Sequence, residues 1–395
     1  ESVARLVRSG MVYDYTGKRP VVEFEREFAA LHGSAHVVTF NSGTSALFAA
    51  LSAIGIGEGD EVIVPNLTFL ASASPLIWLG AHPVLVDSSE EEPSVDPVAI
   101  RAAITSRTRA VVVTHLFGNP VDVEAIARIC AEHNLRFIED CSHAHASTVG
   151  AAHVGTFGDA AIYSIGAGKL ISGGHGGALV TNDAAIRDLA MLVGHFKPRT
   201  RTDLLTESLR PYSEFALGGN LRLSPLAAAL ALDHLRCLDE LSKARCTNVG
   251  ILDEALAGLL HPVRSAAPRN NRSHFDIVYR MPSGAADGER DRLVSELTAA
   301  GVPAGAPSTR PLNRVLRKMP NAPSQIRNVF LQRLHTLAQS APSDLDVKNS
   351  VLQHDRMISF PAGRLYSSDT AAAEWVATKA RVVVNDFFGG SGRGR

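Results

Sequence analysis

Ala110-Val-Val-Val-Thr114, the residues from Val121 to His133, and Leu135-Arg-Phe-Ile-Glu139 spell a strand, a helix and a second strand in succession, with Asp140 directly after them. The same alternation extends upstream. His36-Val-Val-Thr-Phe40 is a short apolar strand, and the Ala/Leu-rich stretch after Asn41-Ser-Gly-Thr-Ser45 is a helix ending near Gly55. Glu61-Val-Ile-Val64 is a strand closed by Pro65, Leu70 to Leu79 a helix, and Pro83-Val-Leu-Val-Asp87 another strand. Strands of near-continuous apolar character separated by helices indicate a mostly parallel sheet covered on both faces. In such a sheet ligands bind beyond the carboxyl ends of the strands. Asn41 to Thr44 and Asp140 both fall at that edge.

From Ser224 to Leu260 the pattern is one long helical stretch, suited to carry the chain into a second unit. Beyond about residue 261 it changes. Asp276-Ile-Val-Tyr279 reads as a strand, Asp287 to Ala300 as a helix and Ala372 to Asn385 as a terminal helix, with Pro- and Asn-containing loops between them. The expected organisation is a large α/β domain over residues 1–250 and a smaller α+β domain over 251–395. A chain of 395 residues exceeds what one hydrophobic core usually supports, which agrees with two units.

Composition narrows the function. Apolar residues make up 45%, charged residues 20%, and the formal net charge is −1. No basic stripe or acidic tail marks a nucleic-acid or anionic-membrane partner; Ser391-Gly-Arg-Gly-Arg395 is a small basic end. No apolar stretch is long enough to span a bilayer, and the first residues lack the apolar core of a signal peptide. Cys130, Cys141, Cys237 and Cys246 are scattered with no CxxC, the pattern of reduced thiols in a cytoplasmic protein.

The chemistry concentrates around Ile162-Tyr-Ser-Ile-Gly-Ala-Gly-Lys169-Leu-Ile-Ser-Gly-Gly-His-Gly-Gly177. A lysine that carries pyridoxal phosphate as a Schiff base needs an acid for the pyridine nitrogen, groups for the phosphate, and a loop that lets backbone approach. Lys169, Asp140, the helix start at Asn41-Ser-Gly-Thr-Ser45 and the glycine pairs supply these. Taken singly, each has a plainer reading. A lysine in a Gly-rich loop is usually a solvated residue, an Asp after a strand a cap or turn, and Ser42 or Thr44 a helix cap. The helix start is neither a P-loop nor a GxGxxG.

Together these blocks resemble the DegT/DnrJ/EryC1/StrS sugar aminotransferases, a branch of the aspartate-aminotransferase fold (fold-type I). Asn41-Ser-Gly-Thr-Ser-Ala-Leu47 matches that family's SGTxAL motif. Gly55-Ile-Gly-Glu-Gly-Asp-Glu-Val-Ile-Val-Pro65 with Thr68-Phe69 matches its GxGxGDEVIxP…TF stretch. Glu139-Asp-Cys-Ser-His-Ala-His145, Ser164 to Lys169 and Gly219-Asn-Leu-Arg222 match further blocks, and Gly10 to Gly17 resembles its substrate-side loop. The resemblance covers residues 10 to 250 well and the remainder loosely.

The resemblance implies the following roles. Lys169 is the Schiff-base lysine and proton carrier, Asp140 pairs with the pyridinium nitrogen, and His143 stands near the cofactor's phenolic oxygen. Phe69 stacks on the ring. Ser42, Gly43, Thr44 and Ser164 hold the phosphate, and Asn220 reaches the phosphate of a neighbouring subunit, which implies a homodimer with shared sites. The implied activity is transfer of an amino group from glutamate or glutamine to a keto-sugar or keto-cyclitol, in amino sugar or aminocyclitol biosynthesis. Gly194-His-Phe and Arg310-Pro-Leu312 lean toward the aminocyclitol branch. Two departures from the family pattern are His175, where a Glu is usual, and Ile358-Ser-Phe-Pro-Ala362 near the C-terminus. Elimination or racemisation on the same scaffold, or a non-catalytic regulatory role, stays open. His143 and His145, on alternate positions, could share one side of an extended segment and with His153 invite a metal reading, but without a Cys pair or HExxH no metal is expected. Cys141 reads as a buried structural thiol rather than a nucleophile.

Overall fold

The computed structural model describes residues 1–13, 20–214, 219–265, 270–319, 328–361 and 369–390. The candidate loop from Gly10 to Gly17, the end of the Ile358–Ala362 motif, and the basic end after residue 390 lie wholly or partly outside them.

Seven strands form the main sheet, in the order His36–Phe40, Gly177–Thr181, Ala160–Ser164, Arg136–Asp140, Thr108–Thr114, Glu61–Pro65, His82–Val86. Of these, Gly177–Thr181 runs antiparallel to both its neighbours, and the other pairings are parallel. Alternate side chains point to opposite faces, and both faces are covered. Val38, Phe40, Val112, Ile138, Ile162 and Leu179 pack against the helices Gly43–Ala53 and Ala184–Gly194. Val37, Tyr163 and Val180 meet Phe24, Phe28 and Leu232 on the other face, and Val111, Val113 and Phe137 meet Ile126 and Ile129. This gives the strands their apolar runs and their lack of a wet face.

A separate core belongs to the C-terminal part. The strands His261–Pro262, Ile277–Arg280 and Met357–Phe360 form an antiparallel sheet. Leu252, Leu256, Ile277, Leu293, Leu297, Phe360, Val376 and Val384 pack over it from the helices Leu238–Ala255, Glu289–Ala299 and Ala371–Gly390.

Two expected helices are divided. The stretch from Leu70 to Leu79 is a 3₁₀ turn, Leu70–Ser72, followed by the helix Ser74–Leu79. Pro75, in the first turn, lacks the N–H that a continuous helix would use and starts the helix afresh. The stretch from Ser224 to Leu260 contains the helices Pro225–Arg236 and Leu238–Ala255, parted at Cys237. The segment with His143 and His145 is a series of turns after the strand rather than an extended stretch.

Glycine is required where the sheet edge meets the helix start. A Cβ on Gly177 would collide with the backbone of Ser42 and Gly43, and one on Gly43 would stand 2.9 Å from the Cβ of Ser164. Gly177→Ala is therefore expected to lower the unfolding free energy by about 1–3 kcal/mol, the usual cost of overpacking. It should also weaken binding of a phosphate-bearing ligand at Ser42–Thr44 more than it lowers Tm, because the collision is with that loop. Chemical denaturation and ligand titration of the variant check both, and wild-type behaviour in each would show that the contact is not tight.

Candidate active site

One cavity of about 320 Å³ opens at the carboxyl edge of the sheet. Ser42, Gly43 and Thr44 enter it after the strand His36–Phe40, and Thr114, Asp140 and Ser164 from the last positions of three other strands. The reversed strand begins at the same edge, which brings Gly176 and His175 to the rim. Lys169, Phe69, His143 and Phe275 complete the walls that matter for chemistry. Of the sequence-derived site residues, Ser42, Gly43, Thr44, Phe69, Asp140, His143, Ser164 and Lys169 thus share one cavity. Asn220 does not line it. It is exposed, and its Oδ1 accepts hydrogen bonds from Nε and Nη2 of Arg222 at 3.1 and 3.0 Å.

Asp140 is buried and held from two sides. Ser72 Oγ donates to its Oδ2 at 2.8 Å and the Ser142 N–H to its Oδ1 at 3.0 Å. The Ser72 hydroxyl is itself steadied by Thr68 at 3.0 Å, and Thr68 by Thr114 at 2.9 Å. Hydrogen bonds of this kind offset the cost of removing a carboxylate from water.

Lys169 faces that acid across the cavity, and its Nζ lies 3.9 Å from the centroid of the Phe275 ring. Burial disfavours the ammonium and pushes its pKa from 10.5 down to about 8, while the charges of Asp140 and Asp276 oppose the fall. Asp276 is raised by burial and accepts the Ser359 hydroxyl at 2.7 Å, so the divergent C-terminal motif reaches toward the site through Ser359. His143 stacks on Phe275 itself, with centroids 3.8 Å apart and planes 16° apart. Its Nδ1 accepts the Phe117 N–H at 3.4 Å, which leaves the proton on Nε2. Burial and then Lys169 hold this imidazole well below its usual pKa, so it is a neutral donor.

The helix Gly43–Ala53 points its N-terminus into the cavity. Ser42 Oγ caps Ser45 N at 3.0 Å, leaving the first amides and the hydroxyls of Thr44 and Ser164 for a phosphate. The demand for glycine at position 43 means backbone, not side chain, forms this wall. A half-exposed Phe69 offers its ring face. A phosphate-ready helix end, a flat aromatic wall, a fixed carboxylate and a primary amine of lowered pKa fit pyridoxal phosphate.

His145 and His153 do other work. His145 Nε2 donates to the Ser164 carbonyl at 2.9 Å and its Nδ1 accepts Ile171 N–H at 3.0 Å, which ties the strand to the loop after Lys169. His153 lies against His32, with centroids 5.3 Å apart. Among the described residues a different trio, His115, Glu139 and Cys141, has ligand atoms within 4.8 Å of one another. Glu139 is already saturated there, by His115 Nε2 at 3.0 Å and the N–H groups of Gly155, Phe157 and Gly158 at 2.8, 2.8 and 2.9 Å. Burial pushes the Cys141 thiol well up, away from the thiolate. Ser72, Thr114, Phe275 and Ser308 escape a reading of the sequence; for Phe275, which arrives from the C-terminal part of the chain, no local motif marks it.

Fold and cavity together define a pyridoxal-phosphate-dependent transferase. Comparison with known proteins gives the particular kind. A model of the DegT/DnrJ/EryC1/StrS aminotransferase family matches residues 1–325, and the chain belongs to that family. An L-glutamine:scyllo-inosose aminotransferase of Streptomyces griseus is 35% identical over 348 residues, 85% of this chain and 80% of its own length. A GDP-perosamine synthase of Caulobacter vibrioides is 36% identical over 303 residues, 76% of this chain and 78% of its own. The crystal structure of 3-amino-5-hydroxybenzoic acid synthase matches with a TM-score of 0.80 at 29% identity, covering 97% of this chain and 95% of that one. The protein is accordingly a pyridoxal-phosphate-dependent aminotransferase. No helix among its described residues is long and apolar enough to cross a membrane.

The lowered pKa of Lys169 has a kinetic consequence. Only the neutral amine attacks the cofactor's aldehyde, so the rate of pyridoxal phosphate uptake by the apoenzyme should rise with pH and level off above about 8. Asp140 favours the ammonium, so Asp140→Asn should move the inflection to lower pH. Stopped-flow uptake across pH 6 to 11 measures both; an inflection near 10.5 in the wild type would mean that the amine is not desolvated.

Proposed function

We propose that the chain transfers the amino group of glutamine, with glutamate as the alternative donor, to the ring ketone of a cyclitol, in aminocyclitol biosynthesis. The observation that carries this is the meeting of Lys169 and Asp140 in a cavity whose relatives at 35% identity act on scyllo-inosose with L-glutamine. A keto-sugar is the second acceptor class, supported by the GDP-perosamine synthase at 36%.

Bound pyridoxal phosphate supplies an electron sink that accepts and returns the amino group. Asp140 holds a positive pyridine nitrogen through a charge-assisted hydrogen bond, and Ser72 and Ser142 keep that carboxylate aimed. Lys169, with a pKa of about 8, takes and returns a proton near neutral pH at its Nζ. His143 donates from Nε2 toward the phenolic oxygen. The N–H groups of Gly43 and Thr44 and the hydroxyls of Thr44 and Ser164 bind the phosphate, Ser42 lines the same wall while capping the helix through Ser45, and Phe69 covers the ring. Phe275 excludes water from the side of the cavity on which Lys169 lies.

The working unit is a homodimer in which Asn220 completes the partner's phosphate site. Its exposure and its position outside its own cavity support that reading, as does the fixed backbone beside it, where Leu221 accepts the Asn41 N–H at 2.6 Å. Free Cys130, Cys141, Cys237 and Cys246 support a reducing, cytoplasmic setting.

A donor and acceptor screen tests the chemistry. Glutamine with scyllo-inosose should give amine and keto acid at least roughly tenfold faster than glutamine with a nucleotide-linked ketosugar, the scale on which a few lost hydrogen bonds discriminate substrates. The reverse order would assign the chain to keto-sugars, and release of no keto acid from any donor would remove transamination. Mixing inactive Lys169→Ala and Asn220→Ala protomers tests the dimer. Random exchange should restore about a quarter of wild-type activity, since half of the dimers carry one intact site in two. Confirmed exchange without activity would place Asn220 within its own subunit's site.

A further inference from the structure

A second cavity, of about 270 Å³, shares no lining residue with the active site. It lies between the helix Leu238–Ala255 and the segments holding Asn119, Arg264 and residues 271–274. Cys246, Val249, Gly250 and Asp253 face it from one side of the helix, at the i, i+3, i+4, i+7 spacing of a single stripe.

The charge in this cavity is unbalanced. Arg264 pairs with Asp253, whose other oxygen accepts the Tyr279 hydroxyl at 2.8 Å. Arg272 donates to the Val263 carbonyl, a neutral acceptor, and is within salt-bridge distance of no carboxylate among the described residues. Arg245, buried behind the cavity, donates to the His274 carbonyl at 2.5 Å. Among the described residues that line the cavity, two guanidiniums, Arg264 and Arg272, therefore flank His274 against the one carboxylate of Asp253. Burial pushes Arg272 down to about 10, with Asp253 opposing and Arg264 adding to the fall. His274 falls to about 3, through burial first and then Arg272, Arg245 and Arg264. Its neutral ring lines the cavity with Nδ1 buried and lacking a hydrogen-bond partner among the described residues.

The helix has also left room. Gly250 stands in a helix interior, where glycine is disfavoured relative to alanine. A Cβ there would meet nothing within 4 Å, so packing does not require the glycine. Its effect is to keep the cavity open.

We propose that this cavity binds a phosphoryl dianion, either inorganic phosphate or the phosphate of a small monoester, through Arg264, Arg272 and His274. Arginine forks match phosphate geometry, and the excess of positive charge converges on one compact centre rather than on two ends. That convergence favours a phosphoryl group over an extended dicarboxylate. The occupant would sit beside His274, one residue from the Phe275 ring that faces Lys169.

The test uses the enzyme saturated with pyridoxal phosphate, so that the catalytic phosphate site is filled. Inorganic phosphate, glycerol 3-phosphate and succinate are titrated calorimetrically at matched ionic strength in chloride. One saturable site per chain is expected for phosphate or the monoester, and the tighter of the two identifies the source. Arg272→Gln should weaken it by roughly tenfold or more, as loss of a charge-assisted contact does. Gly250→Leu keeps every charge and fills the space, so it should abolish binding while transamination persists, even if Arg272→Gln fails to fold. No saturable binding of either phosphate, undiminished binding in Gly250→Leu, or tighter binding of succinate overturns the proposal.

Discussion

A carboxylate taken out of water at the end of a sheet is costly unless hydrogen bonds replace the lost solvent, and the active site is arranged around meeting that demand for Asp140. Ser72 and the Ser142 amide grip its two oxygens, and Thr68 and Thr114 fix Ser72 in turn. The preceding residue, Glu139, points to the opposite face and is satisfied there by His115 and three backbone amides. Two adjacent carboxylates are thus buried on opposite sides of one strand, each with its own donors. The second anchors the turn that brings in the strand Ala160–Ser164, and through it the loop of Lys169.

The sheet explains why residues distant in sequence meet. Parallel strands end at one edge, so Thr114, Asp140 and Ser164 arrive together. The one reversed strand begins there, so Gly177 presses its backbone against the helix start at Ser42. A side chain at Gly43 or Gly177 would fill the space that this close approach creates. The C-terminal part then contributes Phe275 and Asp276, which set the surroundings of the lysine amine from outside the sheet.

How much of this the sequence disclosed depends on the range of the interaction. The strands His36–Phe40 and Glu61–Pro65 stand where their apolar runs place them, because two-sided burial writes itself into consecutive residues. Lys169 and Asp140 were readable because their motifs are local. The break after Ser72 does not show in the apolar pattern from Leu70 to Leu79, which suits a helix throughout, although Pro75 marks it; Ser72, at the end of the 3₁₀ turn, donates to Asp140. His143 and His145, read as neighbours on an extended segment, part company in the turns: one stacks on Phe275 and the other ties the lysine loop to its strand. Phe275 and the arginines around His274 left no sequence signal, since their meaning lies in contacts between elements far apart in the chain.

The most direct measurement is reduction of the pyridoxal-phosphate-loaded enzyme with borohydride, followed by peptide mass mapping. The cofactor should be found fixed to the amine of Lys169, with Lys169→Ala unlabelled yet folded. A label on another lysine, or wild-type turnover in Lys169→Ala, would contradict the assignment of the cavity at the sheet edge as the catalytic site.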